Sequence, residues 1–241
     1  MVIYGKHPVI CAIDSNASIE KVLIYENLKE KEKILNMCKA KNINYELVSK
    51  FKIEQIVSDD NHQGVCAYLI NEPVCKLSEN LENFLNSENK ILLIIDRIQD
   101  PYNLGSIIRS AFVLNVKNIV STYTQSSKIT PSVIKASAGA IFYINFSYSD
   151  NLKRVIEILK ENKIPVYSLE RGGILIEELD VKSEKLAIIV GSEHYGIRKK
   201  LIEMSDKIIT LRQYNFKVNS YNVSNAVAIA LYILTLKFQI K

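Results

Sequence analysis

Ile91-Leu92-Leu93-Ile94-Ile95, followed at once by Asp96-Arg97-Ile98-Gln99-Asp100-Pro101-Tyr102-Asn103-Leu104-Gly105-Ser106-Ile107-Ile108-Arg109-Ser110-Ala111, is the stretch that decides the fold. A near-continuous apolar run of this length suits a parallel strand covered on both faces. The polar loop behind it leads into Ile107, Ile108, Ala111 and Leu114, whose spacing predicts a helix over about 105–114 with one buried face. A strand, a polar loop and a helix in that order make the repeating unit of a mainly parallel α/β sheet. Ligands of such sheets sit beyond the carboxyl ends of the strands.

The alternation continues on both sides of this stretch. Strands are expected at 118–123, 142–147, 165–169, 186–191 and 207–211, helices near 131–139, 151–162 and 197–204, and a final apolar helix over about 222–238. Upstream, strands at 21–26, 44–48 and 64–70 alternate with helices at 28–41 and 51–57, which implies a second, smaller α/β unit. Residues 71–89 hold Pro73 and a run of Asn, Ser and Glu, and read as a linker with one short helix near 79–86. The expected division is 1–72, a linker at 73–89, and 90–241.

The bulk composition excludes several classes. With 48% hydrophobic and 24% charged residues, the chain of 241 residues can bury a sizeable core, and disorder is not expected to dominate. The net charge of +5 is unevenly placed: residues 1–72 carry 9 Lys/Arg against 10 Asp/Glu, and the remainder carries 22 against 16. The basic excess is compatible with a polyanionic partner but does not identify one. Cys11, Cys38, Cys66 and Cys75 form no C-x-x-C pair and have no His spaced to complete a zinc site, so they read as reduced packing residues and no metal is expected. The first residues hold no basic segment leading into a long apolar one, and Ala226–Leu236 is too short to span a bilayer. A cytoplasmic location without membrane contact is expected.

Two further polar clusters follow apolar runs: Gly191-Ser192-Glu193-His194-Tyr195-Gly196 behind Leu186–Val190, and Val218-Asn219-Ser220-Tyr221-Asn222-Val223-Ser224 before the last helix. Each has a structural and a functional reading. Asn103 fits a helix cap or an amide facing a cavity, and Arg109 fits a surface ion pair or a bidentate contact to a phosphate or sugar. Gly105 allows a close backbone turn. Gly191 fits a tight turn or a place where a flat ligand meets the backbone. Glu193 is then either solvated or set to orient its neighbours, with Arg109 as a partner. Asn222 or Ser224 would cap the final helix. Neither a G-x-G-x-x-G fingerprint nor a phosphate-binding G-x-x-x-x-G-K-[ST] loop is present.

In this order and with these separations, the three clusters resemble the three motifs of the SpoU/TrmH family of RNA ribose 2′-O-methyltransferases, part of the knotted SPOUT class. The resemblance implies an α/β fold with a deep trefoil knot, against the usual rule for protein chains, and a site for S-adenosylmethionine. It assigns cofactor contacts to Gly191, Gly196, Leu211 and Tyr221. Asn103, Arg109, Glu193, Ser220 and Asn222 match the polar positions around the methyl group and the target ribose. No metal is needed for this chemistry. The resemblance also implies a homodimer whose site is completed by an arginine from the partner. Arg109 is either a base activated by an RNA phosphate or a cation stabilising the developing alkoxide, since Arg ordinarily stays protonated.

In the first seventy residues, Ile3-Tyr4-Gly5-Lys6-His7-Pro8-Val9 and Asn61-His62-Gln63-Gly64-Val65 look like the signatures flanking the L30e-like RNA-binding domain of the bacterial 23S ribosomal RNA guanosine 2′-O-methyltransferase branch. Read without the resemblance, each is a turn with a surface His. Lys6, His7, His62 and Gln63 are the RNA-binding candidates. Two departures stand out. The Glu-Gly-x-Gly of the second motif is Glu193-His194-Tyr195-Gly196, and an Ile-Pro pair before the third is Leu211-Arg212, without the glycine expected soon after. The leading reading is a ribosomal RNA ribose methyltransferase; a transfer RNA enzyme and a non-catalytic RNA-binding assembly factor are the alternatives.

Overall fold

The computed structural model describes residues 1–57, 59–193, 195–215, 217 and 220–238. In the smaller unit, β1 (Val2–Tyr4), α1 (Lys6–Asp14), β2 (Ile19–Tyr25), α2 (Lys31–Ala40), β3 (Tyr45–Val48), α3 (Lys50–Ile56) and β4 (Val65–Leu69) build a four-stranded sheet ordered β1-β4-β2-β3. β1 and α1 correct the turn expected at 3–9. The turn is confined to Gly5, whose φ of 96° needs a glycine, and the helix starts at Lys6. Pro8 lies within the first turn of α1, where an absent N–H leaves no intrahelical bond unmade.

The stretch expected to be a linker carries α4 (Leu77–Asn86), which is built into the larger unit. Asn80, fully buried, donates to Ile119 O and Ser147 Oγ, both at 2.8 Å, and accepts from Asn118 Nδ2 at 2.9 Å. Lys185 Nζ closes the far end of the helix on the carbonyls of Phe84, Leu85 and Ser87.

The larger unit continues with β5 (Ile91–Asp96), α5 (Pro101–Val113), β6 (Asn118–Thr122), α6 (Pro131–Ala136), β7 (Asn145–Ser149), α7 (Leu152–Glu161), β8 (Val166–Leu175), β9 (Leu186–Gly191), α8 (Lys199–Met204), β10 (Lys207–Thr210) and α9 (Val223–Lys237). Its six strands are all parallel and ordered β10-β8-β9-β5-β6-β7, with every residue of β5 buried. The chain moves outward from β5 through β6 to β7 and then crosses to the other side, so the strand order reverses at β5 and β9. A crevice at the carboxyl ends of strands flanking such a reversal is where an open α/β sheet binds ligands. β8 is interrupted: Ile208 pairs with Ser168 but Ile209 pairs with Ile174, so residues 169–173 bulge out of register.

The two units pack directly on each other. Lys135 Nζ donates to Asn61 O at 2.7 Å, Tyr143 Oη donates to Asp14 Oδ2 at 2.7 Å, and residues of both units share one hydrophobic cluster. Among the described residues, no helix is long and apolar enough to cross a membrane.

Candidate active site

Asp100 and Pro101 start α5 four residues earlier than the apolar spacing predicts. The Asp100 carboxylate accepts from the N–H groups of Tyr102 and Asn103, and Pro101 takes the first helical position. Asn103 is thereby freed from capping and sits in the first turn of the helix. Gly105 is helical rather than part of a turn. Its lack of a side chain lets α6 close on α5, since a Cβ there would lie 2.5 Å from Ala136 Cβ.

Glu193, at the carboxyl end of β9, gathers the other two clusters. Its Oε1 accepts from Asn222 Nδ2 at 2.5 Å, Asn103 Nδ2 at 3.3 Å and Val223 N at 3.3 Å, and Asn222 Nδ2 also donates to Asn103 Oδ1 at 3.0 Å. Asn222 has two tasks. Its Oδ1 caps α9 by accepting from Ser224 N at 3.0 Å and Ser224 Oγ at 2.6 Å, while its Nδ2 faces Glu193. One end of the amide thus caps α9 and the other joins the Glu193 cluster.

A cavity of about 460 Å³ opens on one side of Glu193. Gly191, Gly196, Leu211 and Tyr221, the expected cofactor positions, all line it together with Ser220. Gly191 is small for an internal reason: a Cβ there would come within 2.1 Å of the Gly196 backbone, which folds back through a Ser192–Gly196 bridge. The close approach is thus chain on chain rather than ligand on chain. Tyr221 Oη donates to Arg212 O at 3.0 Å, and Arg212 pairs with Glu178 at 3.4 Å, which fastens the loop between β10 and α9 in place of the expected Ile-Pro pair. Sequence reasoning missed Glu170 and Arg171, which the β8 bulge carries to the cavity rim, and Gln213. Gly172 and Gly173 were the available signal, because paired glycines within a strand pattern mark a bulge. His194 of the second motif, and Phe216, Val218 and Asn219 in and before the third, lie outside the described residues.

On the other side of Glu193 lies a second cavity of about 320 Å³, bounded by Arg97, Gln99, Asn103 and Tyr195. Ser192, Glu193, Tyr195 and Val223 border both cavities and form the wall between them.

Arg109 is not where the sequence reading put it. It lines neither cavity, pairs with neither Glu193 nor any other described residue, and is exposed. Six residues of helix separate it from Asn103, a rise of about 9 Å and a turn of roughly a third of a circle. Its face of α5 also carries exposed Tyr102 and Val113, and α9, which packs against α5, carries exposed Ile229, Tyr232 and Leu236. In the small unit, Lys6 pairs with Glu30 at 3.0 Å, His7 and Gln63 are exposed, and Gln63 Oε1 accepts from Lys6 N. His62 is instead buried: its Nδ1 accepts from Gly64 N at 3.0 Å, so the ring shapes the turn and offers no face to a partner. Beside this region, burial and then a hydrogen bond to Asp59 push the Tyr4 hydroxyl up to about 12, and burial pulls the Lys135 ammonium down.

A family model described as the SpoU rRNA Methylase family matches residues 90–232, and one described as RNA 2'-O ribose methyltransferase substrate binding matches residues 2–72. A protein of Staphylococcus saprophyticus called a putative TrmH family tRNA/rRNA methyltransferase is 33% identical, over 96% of this chain and 94% of its own length. An uncharacterized tRNA/rRNA methyltransferase of Synechocystis is 30% identical over 95% of this chain, which spans 61% of that protein. Among solved structures, the SpoU methyltransferase AviRb of Streptomyces viridochromogenes in complex with AdoMet superposes with a TM-score of 0.82 at 15% identity, covering 100% of this chain and 91% of that one. An AdoMet-bound rRNA methyltransferase of Sinorhizobium meliloti gives 0.78 at 22% identity, covering 96% and 85%. These two share the fold.

Proposed function

The chain belongs to the SpoU rRNA Methylase family, and on that premise we propose that it transfers a methyl group from S-adenosylmethionine to a ribose 2′-hydroxyl of RNA, a guanosine of large-subunit ribosomal RNA. The observation that carries the reading is the Glu193–Asn103–Asn222 cluster standing between two cavities, one for the methyl donor and one for the nucleotide.

The larger cavity suits an amphipathic donor. Val190, Leu211 and Val227 supply an apolar wall for a flat ring, and Glu170, Arg171 and Ser220 supply polar groups for its ribose and amino-acid ends. When bound, S-adenosylmethionine supplies an electrophilic methyl group. The chain supplies alignment, which accounts for much of the rate in such a displacement. Glu193 Oε1 is taken up by its three donors, while Oε2 receives no hydrogen bond from a described residue and is open to the ribose hydroxyl. Asn103 and Asn222 hold that carboxylate in place.

A homodimer belongs to the same reading. The apolar face shared by α5 and α9 fits a second copy of the chain, and Arg109 lies on it, out of reach of its own cluster. Across such an interface it would act on the partner's site as a fixed cation stabilising the developing alkoxide. The knotted chain path of the SPOUT class goes with this proposal, supported by α9 packing back against α5 and β9. So do a cytoplasmic location and an RNA-reading role for the small unit, with Lys6, His7 and Gln63 at its surface.

Labelled S-adenosylmethionine should be incubated with the protein and either unmodified large-subunit ribosomal RNA or transfer RNA. Label in a ribose of the ribosomal RNA supports the proposal. Label confined to transfer RNA replaces the substrate, and tight RNA binding with no transfer to either points to a non-catalytic assembly factor.

A further inference from the structure

We propose that the cavity on the Arg97 side of Glu193 is a nucleobase clamp, in which the base of the target nucleotide stacks on the Tyr195 ring beside the Arg97 guanidinium and presents its edge to Gln99. The inference rests on the methyl-transfer reading for the orientation of the nucleotide, but not for the clamp itself.

Four observations carry it. Arg97 has a φ of 63°, a left-handed conformation uncommon for a residue with a side chain. The conformation is enforced from both sides: Arg97 N donates to Thr122 Oγ1 at 3.0 Å, and Ser127 N donates to Ile98 O at 2.8 Å. Second, Asp96, fully buried at the end of β5, accepts from Arg198 N at 2.8 Å and Arg198 Nε at 2.9 Å, which ties the segment that follows Tyr195 to the end of β5, and it lies 3.6 Å from Arg97 Nε, a buried atom without a hydrogen-bond partner among the described residues.

Third, the guanidinium carbon of Arg97 stands 5.8 Å from the centroid of the Tyr195 ring, and that ring is 73% exposed at the wall the two cavities share. An aromatic ring beside an Arg plane is the usual stacking platform for an unpaired base, whatever its identity. Fourth, charge within the cavity is suitable for a base. Both oxygens of Asp100 are spent on the N-terminus of α5, and Glu193 lies at the wall, where a ribose attached to a stacked base would fall. Tyr195 occupies the open position of the Glu-Gly-x-Gly pattern, so it is a residue by which this chain can differ from its relatives in the nucleotide it accepts.

The test uses the full chain saturated with S-adenosylhomocysteine and a single-stranded RNA nonamer with 2-aminopurine at its centre, whose fluorescence falls when the base stacks on an aromatic ring. The wild-type protein is expected to quench it. Tyr195→Ala should abolish the quench and weaken binding about tenfold or more, Tyr195→Phe should retain both, and Arg97→Ala should weaken binding by a similar factor. Because Arg97 lies outside the larger cavity, Arg97→Ala should leave S-adenosylhomocysteine affinity within about twofold by calorimetry. No quench by the wild type, or a quench unchanged in Tyr195→Ala, overturns the clamp. A Tyr-dependent quench with no methylation of any RNA leaves the clamp standing and sinks the methyl-transfer reading; methylation by Tyr195→Ala at the wild-type KM for RNA sinks the clamp alone.

Discussion

Glu193 and Asn222, on different elements and 29 positions apart, meet through a 2.5 Å hydrogen bond from Asn222 Nδ2 to Glu193 Oε1. The other end of the same amide caps α9. Catalytic alignment and helix initiation are therefore joined in one side chain, and substitution can separate them. Asn222→Asp keeps an oxygen for the cap but sets a carboxylate against Glu193. Its melting temperature should stay close to wild type, while methyl transfer falls about 100-fold, the cost of displacing a positioned group by about an ångström. Asn222→Ala should lose both, with about 1 kcal/mol of stability gone by denaturant titration.

Gly191→Ala should cost about 1–3 kcal/mol and most of the affinity for S-adenosylhomocysteine, because its Cβ would meet the Gly196 backbone at 2.1 Å and force the Ser192–Gly196 turn open. Calorimetry and chemical denaturation of one sample read both effects. Full cofactor affinity in a stable variant would show that the turn does not shape the cavity.

If Arg109 acts across a dimer, Arg109→Ala and Asn222→Asp are each strongly impaired alone, and mixing the two proteins under conditions of subunit exchange restores transfer, since the mixed dimer assembles one complete site. Leu236→Asp, at a position 59% exposed on the shared α5–α9 face, should sediment as a monomer and lose activity. Undiminished dimerisation in that variant would move the interface elsewhere.

The small unit has a predictable acid dependence. Hydrogen bonds from Lys21 at 2.7 Å and Lys52 at 2.5 Å pull the Glu46 carboxyl down to about 2. A carboxyl lowered from about 4.3 in the unfolded chain adds stability above that value, and this contribution disappears as pH falls from about 4.3 towards 2. Glu46→Gln should therefore lose less stability than the wild type over that window, as read by circular dichroism melts at stepped pH.

The larger sheet was legible because its strands are continuous apolar runs, with Ile91–Asp96 buried throughout, and such runs identify themselves without partners. The boundary of α5 was less so: apolar spacing marks only the buried turns, and the Asp100-Pro101 start signal falls in what reads as a polar loop. α1 was missed because Pro8 resembles a breaker until its place in the first turn is known. Asn103, Glu193 and Asn222, grouped by motif order, are hydrogen-bonded to one another in the structure. Spacing along one helix could not tell that Arg109 points away from them, since a side chain's direction depends on which face of α5 the sheet and α9 cover. Tyr195 and Arg97 carried no signal of their own, as their relation exists only once the ends of β5 and β9 are side by side.

Whether the Glu193–Asn103–Asn222 cluster directs methyl transfer to a ribose 2′-oxygen is decided by mass spectrometry of nuclease-digested large-subunit ribosomal RNA after reaction with S-adenosylmethionine. One nuclease-resistant dinucleotide bearing a 2′-O-methyl group is expected, present with the wild type and lost with Asn222→Asp. A methyl group on a base, or a 2′-O-methyl product formed equally well by Asn222→Asp, would contradict it.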